Sequence, residues 1–331
     1  MIISRTPFRI SFVGGGTDLR SFYAHEPGQV LSTTIDKYLY VIARRQIGLV
    51  EFKYRINYSS VEFCRTIDEI QHPIVREALR LYEVDFPVEI STFADIPAYT
   101  GLGSSSAFAV GLVHALSALQ GKYITKAVMA QLAARIEVDI LGRSIGKQDH
   151  YASAYGNFNV FTFQADEGVV VEPVFYRPEV REALEKHFML FYTGLKRDAS
   201  EILRAQQQST GGKMEVLRKM KEQVVPLREI LSTGQNLHEF GKILHEGWLL
   251  KRGITKDISC QNIDRWYEAA RKAGALGGKI LGAGGGGFLL FFVEPQNQEA
   301  VIRALPQLYR VPFRFDQGGS RITYYDQTLV S

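Results

Sequence analysis

The chain has 331 residues, of which 46% are hydrophobic, enough for a large core in one large or two medium domains. Its 39 basic and 35 acidic residues are scattered, so the net charge of +4 comes without a block of like charges typical of a nucleic-acid arm. Cys64 and Cys260 lack the spacing of a metal site or a disulfide framework, and the start MIISRTPFRIS lacks an apolar leader. We expect a cytoplasmic protein that binds a small acidic ligand and neither nucleic acid nor membrane.

The first hundred residues predict a strand-rich region. Alternating apolar and polar residues indicate strands, with one intervening helix at HPIVREALRLY. The predicted strands are RISFV, KYLYVIARR, FKYRINYSS and FPVEISTFAD. From Ser104 the pattern changes, because SSSAFAVGLVHALSALQ is apolar around nearly its whole circumference and indicates a buried helix. A second helix is predicted at TKAVMAQLAARIEVDILGRS.

The second half of the chain mixes both kinds of element. Acidic residues, Gly168, Pro173 and Pro178 between Gln164 and Lys186 indicate a domain boundary. Strands are predicted at NFNVFTF, FMLFYTG, VPFRFD and SRITYYD, and helices at residues 199–231, at residues 237–251 and around QEAVIRALPQL. This order predicts an α+β protein with domains at residues 1–175 and 176–331.

One of three glycine-rich loops, PAYTGLGSSSAF at residues 97–108, joins a strand to the buried helix. Gly101 and Gly103 let a ligand approach the backbone, and the first N–H groups of the helix favour an anion. The serines at 104–106 can cap the helix, bond phosphate oxygens or hold magnesium. No lysine follows the glycines, so this is not a Walker loop. A backbone phosphate site and a serine-capped helix without a ligand both fit the pattern.

The other two glycine-rich loops flank apolar strands. Five glycines between Gly282 and Gly287 precede FLLFF. Each glycine lowers stability by roughly 0.5–1 kcal/mol where a helix or strand can form, so the presence of five together requires an explanation. One explanation is a flexible hinge, and the other is close approach of the backbone to a ligand or to another loop. Near the start of the chain, RISFVGGGTDL places bare backbone and the Asp18 carboxylate after a strand.

Two carboxylates of the second predicted helix have different surroundings. Asp139 has Arg135 and Arg143 four residues away on either side, which predicts a solvated ion pair. Glu137 has alanine, isoleucine and leucine at the helical neighbour positions, where an unpaired charge is costly. Its partner is either a divalent cation or a buried basic residue, Arg143 or Lys147.

Asp149, in GKQDHYASAYGN, precedes a short predicted helix. Its carboxylate is either the N-cap of that helix or a base close to a reacting hydroxyl, held ionised by Lys147 or Arg9. His150 points away from Asp149 on a helix, and no second histidine or cysteine lies at ligand spacing. We therefore predict a structural role for His150.

The three loops, in this order, resemble the motifs of the GHMP kinase superfamily, which includes galactokinase, homoserine kinase, mevalonate kinase and phosphomevalonate kinase. The resemblance covers nearly the whole chain, and its motifs are TPFRISFVGGGTD, PAYTGLGSSSAFAVG and GGKILGAGGGGFLLFF. It implies a kinase that transfers phosphate from ATP to a small molecule. It also implies an amino-terminal domain like ribosomal protein S5 domain 2 and a ferredoxin-like carboxy-terminal domain.

The resemblance further implies roles for individual residues. Asp149 would deprotonate or orient the acceptor hydroxyl, Arg9 would lie near the γ-phosphate, and Ser105 and Glu137 would hold Mg²⁺. The third loop would lie close to the second, which would explain its glycines. The ATP phosphates would lie against Pro97, Gly101, Leu102, Gly103, Ser104, Ser105 and Ser106. The acceptor would lie against Gly15, Gly16, Thr17, Asp18, Gly284 and Gly285.

The first motif narrows the choice of acceptor substrate. Galactokinase and mevalonate kinase carry P-G-[RK] followed by G-E-H, whereas this chain has Pro7, Phe8, Arg9 and then GGGTD. The forms FRISFVGGGTDL, GQVLSTTIDKYLYV and FYTGLKRDASEIL resemble the D-glycero-D-manno-heptose 7-phosphate kinases, which phosphorylate the anomeric hydroxyl of a sugar phosphate. Candidates for binding the phosphate that this acceptor already carries are Arg20, Lys53, Arg55, Lys196 and Arg197.

Two alternatives remain beside this prediction. One is a fucokinase-like or other anomeric sugar kinase, and the other is a nucleotide-binding regulator that has lost catalysis. The second is disfavoured because Arg9, Ser105, Glu137 and Asp149 are all present. A homodimer is the candidate assembly.

Overall fold

The structure is a computed structural model that describes residues 1–47, 51–98, 100–195 and 213–326. Its strands are β1 (Ile2–Val13), β2 (Gly28–Arg45), β3 (Tyr54–Asn57), β4 (Val61–Cys64), β5 (Val88–Ala94), β6 (Asn159–Phe163), β7 (Val169–Pro173), β8 (Phe188–Tyr192), β9 (Ala275–Ile280), β10 (Phe288–Val293), β11 (Tyr309–Val311), β12 (Phe315–Asp316) and β13 (Arg321–Tyr325).

The described α-helices are α1 (Arg20–Tyr23), α2 (Pro73–Leu81), α3 (Ser104–Leu119), α4 (Lys126–Ala134), α5 (Gln148–Tyr155), α6 (Pro178–His187), α7 (Met214–Glu222), α8 (Val224–Thr233), α9 (Leu237–Arg252), α10 (Gln261–Lys272) and α11 (Gln298–Ala304). Short 3₁₀ turns lie at Ile67–Glu69, Lys256–Ile258 and Pro295–Asn297. The predicted mixture of helices and strands is confirmed.

Two sheets organise the described chain. The larger has nine strands, with the order β13-β1-β2-β5-β3-β4, while β12 and β6 also pair with β2 and β7 pairs with β6. The smaller has the order β11-β8-β10-β9 and is antiparallel throughout. Strands β12 and β13 follow the smaller sheet in sequence but pair with β2 and β1, so the chain returns to the larger sheet at its end.

Helix α3 packs against the middle of the larger sheet. Its twelve buried residues face all directions, as predicted from its apolar circumference. At Gly111 an added Cβ would lie 2.9 Å from the Thr6 hydroxyl of β1, so only glycine permits this approach. The packing fixes the first turn of α3, and therefore the second glycine-rich loop, relative to β1.

Several boundaries differ from the prediction. Strand β2 extends to 18 residues because it crosses the whole sheet and pairs with β1, β5 and β6. Helix α4 ends at Ala134, and Arg135–Ile140 continues as a π-helical segment. The helix predicted at residues 199–231 is divided at Gln223 into α7 and α8, and its first part lies outside the described residues.

Candidate active site

A cavity of about 680 Å³ lies between the larger sheet with its helices and the elements that follow β8. All three glycine-rich loops contribute to its wall, through Gly15, Gly103 and Gly284 among others. Helix α9 and strand β9 close it from the other side with Lys251 and Lys279. The loops that the sequence singled out therefore meet at one site.

Arg9 and Asp149 form an ion pair in the wall of this cavity. Two guanidinium nitrogens, Nε and Nη2, each donate to one carboxylate oxygen at 2.6 Å. The remaining terminal nitrogen, Nη1, donates to the Gly101 carbonyl at 2.6 Å. The Arg9 side chain is 5% exposed and that of Asp149 is 21% exposed. A bidentate pair of this kind fixes both side chains and leaves the carboxylate facing the cavity.

Two elements position Asp149: α5 carries it, and β1 carries its partner Arg9. Lys147 is the N-cap of α5 and Asp149 is its second residue, so the alternative in which Asp149 caps the helix is wrong. An added Cβ at Gly103 would lie 3.1 Å from Asp149 Oδ2, so glycine allows the second loop to lie against the pair. Arg9, rather than Lys147, is the basic partner of Asp149.

The second glycine-rich loop leads into α3 through Gly103, which is the N-cap with φ of +77°. No side chain caps this helix, so serine capping does not explain the serines. Ser104, Ser105 and Ser106 occupy the first turn and line the cavity. The N–H groups of that turn and the hydroxyls are the groups to which the sequence assigns an anion, and that role stays a prediction.

Close backbone approach accounts for the third loop. Gly101 and Gly282 both have positive φ, and an added Cβ at Gly282 would lie 2.5 Å from the Gly101 Cα. At Gly287, φ is +88° and an added Cβ would lie 2.1 Å from the Thr100 carbonyl oxygen. The second and third loops thus share a backbone contact, as the family resemblance implies, and not a hinge.

Glu137 lies in the π-helical segment and is fully buried. Its Oε1 accepts hydrogen bonds from Ser105 Oγ and from Arg143 Nη1, the latter at 2.5 Å, and its Oε2 is 2.9 Å from His150 Nε2. Burial alone would raise the pKa of Glu137, but these hydrogen bonds and the charges of His150 and Arg143 outweigh it and lower the pKa. Arg143 is therefore the buried basic partner, and His150 has a structural position, as predicted.

Two predicted ion pairs have other partners. Asp139 is half exposed and pairs with Arg20 at 3.0 Å, because the π-helical turn moves it away from Arg143. Lys147 pairs with Glu167 in the β6–β7 turn. Glu167 also accepts from Arg20 and from the Tyr23 hydroxyl. Burial opposes its ionisation, but the hydrogen bonds from Arg20, Lys147 and Tyr23 prevail and lower its pKa to about 2.

Asp18 also lines the cavity and is 2% exposed. Its Oδ1 accepts from the Gly16 N–H at 2.9 Å and from Gln148 Nε2 at 3.0 Å. Burial and then the charge of Asp149 raise its pKa, against the hydrogen bonds from backbone N–H groups. An added Cβ at Gly146 would lie 1.8 Å from Asp18 Oδ2, so glycine is required there.

Four residues that were predicted to contact a ligand are not among the residues that line the cavity, so their ligand contacts stay predictions. Thr17 is fully buried and its hydroxyl donates to the carbonyls of Gly14 and Gln29. Leu102 is a core residue whose carbonyl accepts from the Arg9 N–H. Pro97 accepts from the Thr100 hydroxyl, and the Gly285 N–H donates to the Ile258 carbonyl. These residues shape the loops.

The structure also differs from the basic cluster that the sequence predicts for a second phosphate. The described candidates Arg20, Lys53 and Arg55 do not line the cavity, and Arg20 and Arg55 pair with carboxylates. Lys196 and Arg197 lie outside the described residues. Two lysines that sequence reasoning missed, Lys251 and Lys279, do line the wall.

Other wall residues were also missed. Ser11 and Gln148 line the cavity, and their Oγ and Oε1 atoms are buried without a hydrogen-bond partner among the described residues. At the far end, the ring of His72 contacts those of Tyr58 and Phe108, with centroids 4.8 and 4.9 Å apart. Ser11, Gln148 and Phe108 lie inside segments that the sequence singled out, but no local pattern indicated that these particular side chains meet at the cavity.

Two negative observations apply to the described part of the chain. None of its helices is long and apolar enough to cross a membrane. It contains no group of three or more histidine, cysteine, aspartate and glutamate side chains able to hold a metal ion by themselves.

Known proteins resemble this chain over most of its length. The family models for the GHMP kinases N terminal domain and the GHMP kinases C terminal domain match residues 71–157 and 227–311. D-glycero-alpha-D-manno-heptose 7-phosphate kinase of Campylobacter jejuni is 30% identical, covering 96% of this chain and 97% of the relative. The galactokinase of Thermococcus kodakarensis is 25% identical, covering 93% of this chain and 94% of the relative.

Solved structures share the fold. The crystal structure of a D-glycero-D-manno-heptose 1-phosphate kinase from Bacteroides thetaiotaomicron has a TM-score of 0.80 and 26% identity, covering 99% of this chain and all of that one. The predicted two-domain GHMP kinase fold is therefore confirmed. The protein belongs to the GHMP kinase family and is an ATP-dependent phosphotransferase of the kind that acts on sugars.

Proposed function

We propose that this protein transfers the γ-phosphate of ATP to the anomeric hydroxyl of D-glycero-D-manno-heptose 7-phosphate. The product would be the 1,7-bisphosphate used for nucleotide-activated heptose synthesis. The observation that carries the proposal is the Arg9–Asp149 pair, which stands between an anion-binding helix terminus and a polar pocket. The similarity to a heptose phosphate kinase over 96% of the chain supports the choice of sugar.

The two ends of the cavity suit the two substrates. The first turn of α3, with Gly101, Gly103 and Ser104–Ser106, would bind the ATP phosphates, and the aromatic wall around His72 would bind the base. Near Asp18, the Ser11 hydroxyl and the Gln148 carbonyl oxygen have no hydrogen-bond partner among the described residues, and they would form hydrogen bonds with a polyhydroxyl acceptor. Gly15, Gly16 and Gly284 would allow this acceptor to lie against bare backbone.

The chemical step follows from these positions. The anomeric oxygen forms a bond to the γ-phosphorus, while the bond from that phosphorus to the β,γ-bridging oxygen breaks and its electron pair leaves with ADP. The proton of the anomeric hydroxyl passes to the Asp149 carboxylate, whose oxygens keep free lone pairs beside the Arg9 bonds. Arg9 holds this carboxylate in place and brings positive charge to the reacting phosphate.

Magnesium would bind at Ser105 and Glu137. Ser105 Oγ and Glu137 Oε1 are hard oxygen donors that lie side by side, face the cavity and already hold the guanidinium group of Arg143, so the donor set fits this cation. A bound magnesium ion would displace that guanidinium, and it would neutralise phosphate charge.

A panel of acceptors tests the proposal. Purified protein with ATP and magnesium should phosphorylate D-glycero-D-manno-heptose 7-phosphate with a higher kcat/KM than L-fucose, D-galactose, D-mannose or mevalonate. Because the bifunctional L-fucokinase of Bacteroides fragilis is 24% identical over 91% of this chain, L-fucose is the second candidate acceptor. Turnover of fucose or galactose without turnover of the heptose phosphate would reject the proposed substrate. Absence of turnover with every acceptor would favour a catalytically inactive regulator.

The same proposal assigns the remaining partners. The protein would act in the cytoplasm on two small molecules, ATP and a sugar phosphate, without nucleic acid or membrane. A homodimer is the proposed assembly, and size-exclusion chromatography with light scattering would test it.

A further inference from the structure

Lys251 is a buried amine at the cavity that the proposed mechanism has not used. It lies near the end of α9, is 8% exposed, and its ammonium group donates a hydrogen bond to the Gly282 carbonyl. An ammonium group has three N–H groups, and the carbonyl takes one of them. Isolated charges of this kind are rarely buried unless they have a partner.

The surroundings of Lys251 connect it with the reacting groups. Gly282, its hydrogen-bond partner, packs on Gly101, whose carbonyl in turn accepts from Arg9. The charged groups that face Lys251 are Arg9 and Lys279, which oppose its charge, and Asp18 and Asp149, which favour it. Lys251 thus lines the same cavity as the Arg9–Asp149 pair and interacts electrostatically with both of its members.

Lys279 provides an instructive contrast. Its ammonium donates to the Ser11 and Phe12 carbonyls at 2.8 and 2.7 Å, so most of its hydrogen-bonding capacity is used by β1. Lys279 therefore joins β9 to β1 and has a structural explanation. Lys251 has no comparable set of partners among the described residues.

Phosphoryl transfer moves negative charge through this region, and catalysis depends on cations placed around the transferred group. We propose that Lys251 is a catalytic residue whose ammonium group binds an oxygen of the phosphoryl group in transit, as a second cation opposite Arg9. This inference rests on the proposed chemistry at Asp149 but not on the identity of the sugar. It assigns to α9, and so to the carboxy-terminal half of the chain, a direct part in the reaction.

The ionisation of Lys251 makes this inference testable by pH. Burial and then the charge of Arg9 lower its pKa to about 8, against the favourable charges of Asp18 and Asp149. The ammonium form is therefore present below pH 8 and is lost as the pH rises through that value. Because kcat/KM reports ionisation in the free enzyme, kcat/KM for ATP should decline above about pH 8.

The first experiment compares Lys251→Met with the wild type, using the panel acceptor that the wild type phosphorylates fastest. Methionine keeps the length of the side chain and removes the charge. We expect kcat to fall about 10²–10³-fold, as for loss of one donor to a developing charge, with KM for both substrates within about threefold. Unchanged kcat, or an effect confined to the KM of the acceptor, would overturn the proposal.

The second experiment uses Lys251→Arg, which retains a charge that does not titrate below about pH 12. We expect it to recover part of kcat and to move the alkaline decline of kcat/KM upward by more than one pH unit. The same alkaline decline in this variant and the wild type would contradict the proposal, even if Lys251→Met does not fold. Lys242→Met is the matched control, because Lys242 is an exposed residue of α9 paired with Glu239 and should leave kcat unchanged. If the heptose phosphate is not the best acceptor, only the proposed substrate fails.

Discussion

The proposed nucleotide half and the proposed acceptor half of the cavity are constructed differently. The nucleotide half comes largely from one continuous segment, the loop at residues 97–108 and the first turn of α3. The proposed acceptor half is assembled from Ser11, Asp18 and Gln148, which come from β1, from the loop after it and from α5. A phosphate group is bound mainly by backbone N–H groups, which one loop can supply, whereas a specific sugar requires side chains from many directions.

The residues of the cavity wall differ in how readily the sequence identifies them. Gly101, Gly103 and the serines were identified because a strand–loop–helix pattern with glycines has a direct physical reading. Lys251 was missed because α9 has the charged composition of an exposed helix, and only the packing of α9 on β9 buries its last turn. Larger-scale features, such as the return of β13 to β1, left no local signal either.

Glu137 illustrates an intermediate case. Its apolar helical neighbours indicated that the carboxylate needs either a divalent cation or a basic partner, and the structure pairs it with Arg143. His150 was correctly given a structural role, but its contact with Glu137 was missed. That contact depends on the π-helical turn, because the turn alters which residues of α4 and α5 lie against each other.

The largest expected effect is at the junction of the two halves. Asp149→Asn should lower kcat about 10²–10⁴-fold, because an amide cannot accept the hydroxyl proton, whereas the affinity for ATP measured by calorimetry should change little. Asp139→Asn, in a half-exposed ion pair with Arg20, is the control and should retain normal kcat. Turnover at the wild-type rate in Asp149→Asn would remove this carboxylate from the mechanism.

The next effect concerns the nucleotide half alone. Glu137→Gln leaves the guanidinium group of Arg143 without its counter-charge, and should lower the free energy of unfolding by about 3–5 kcal/mol. It should also abolish the rise in Tm that magnesium gives to the protein without nucleotide. Arg143→Gln should instead enlarge that rise, because the competing guanidinium is gone. A magnesium response in Glu137→Gln equal to that of the wild type would rule out the proposed metal ligand.

A smaller effect is expected where the third loop supports the second. Gly282→Ala should lower the free energy of unfolding by about 1–3 kcal/mol and raise KM for ATP, because the methyl group would collide with Gly101 and φ is +72°. Gly142 has φ of +60° but no atom within 4 Å of an added Cβ, so Gly142→Ala measures the conformational strain alone. Equal effects of the two substitutions on KM for ATP would argue against the loop contact.

The smallest expected effect tests the proposed acceptor half of the cavity. Ser11→Ala should raise KM for the acceptor about two- to tenfold through loss of one hydrogen bond, with KM for ATP unchanged. Stability should not fall, because the Ser11 hydroxyl has no partner among the described residues. The Ser32 hydroxyl is also buried without a described partner but does not line the cavity, so Ser32→Ala is the control. A rise in KM for ATP in Ser11→Ala would show that Ser11 belongs to the nucleotide half.

The return of the chain to the larger sheet has a mechanical consequence. The segment between β7 and β12 leaves that sheet from a strand paired to β6 and re-enters it beside β2, so it is tethered at two points of one rigid platform. A unit held by a single linker can swing freely, whereas one held at two points can rotate only about the line that joins them. A closing motion of this segment around the substrates would therefore be a rotation about that line.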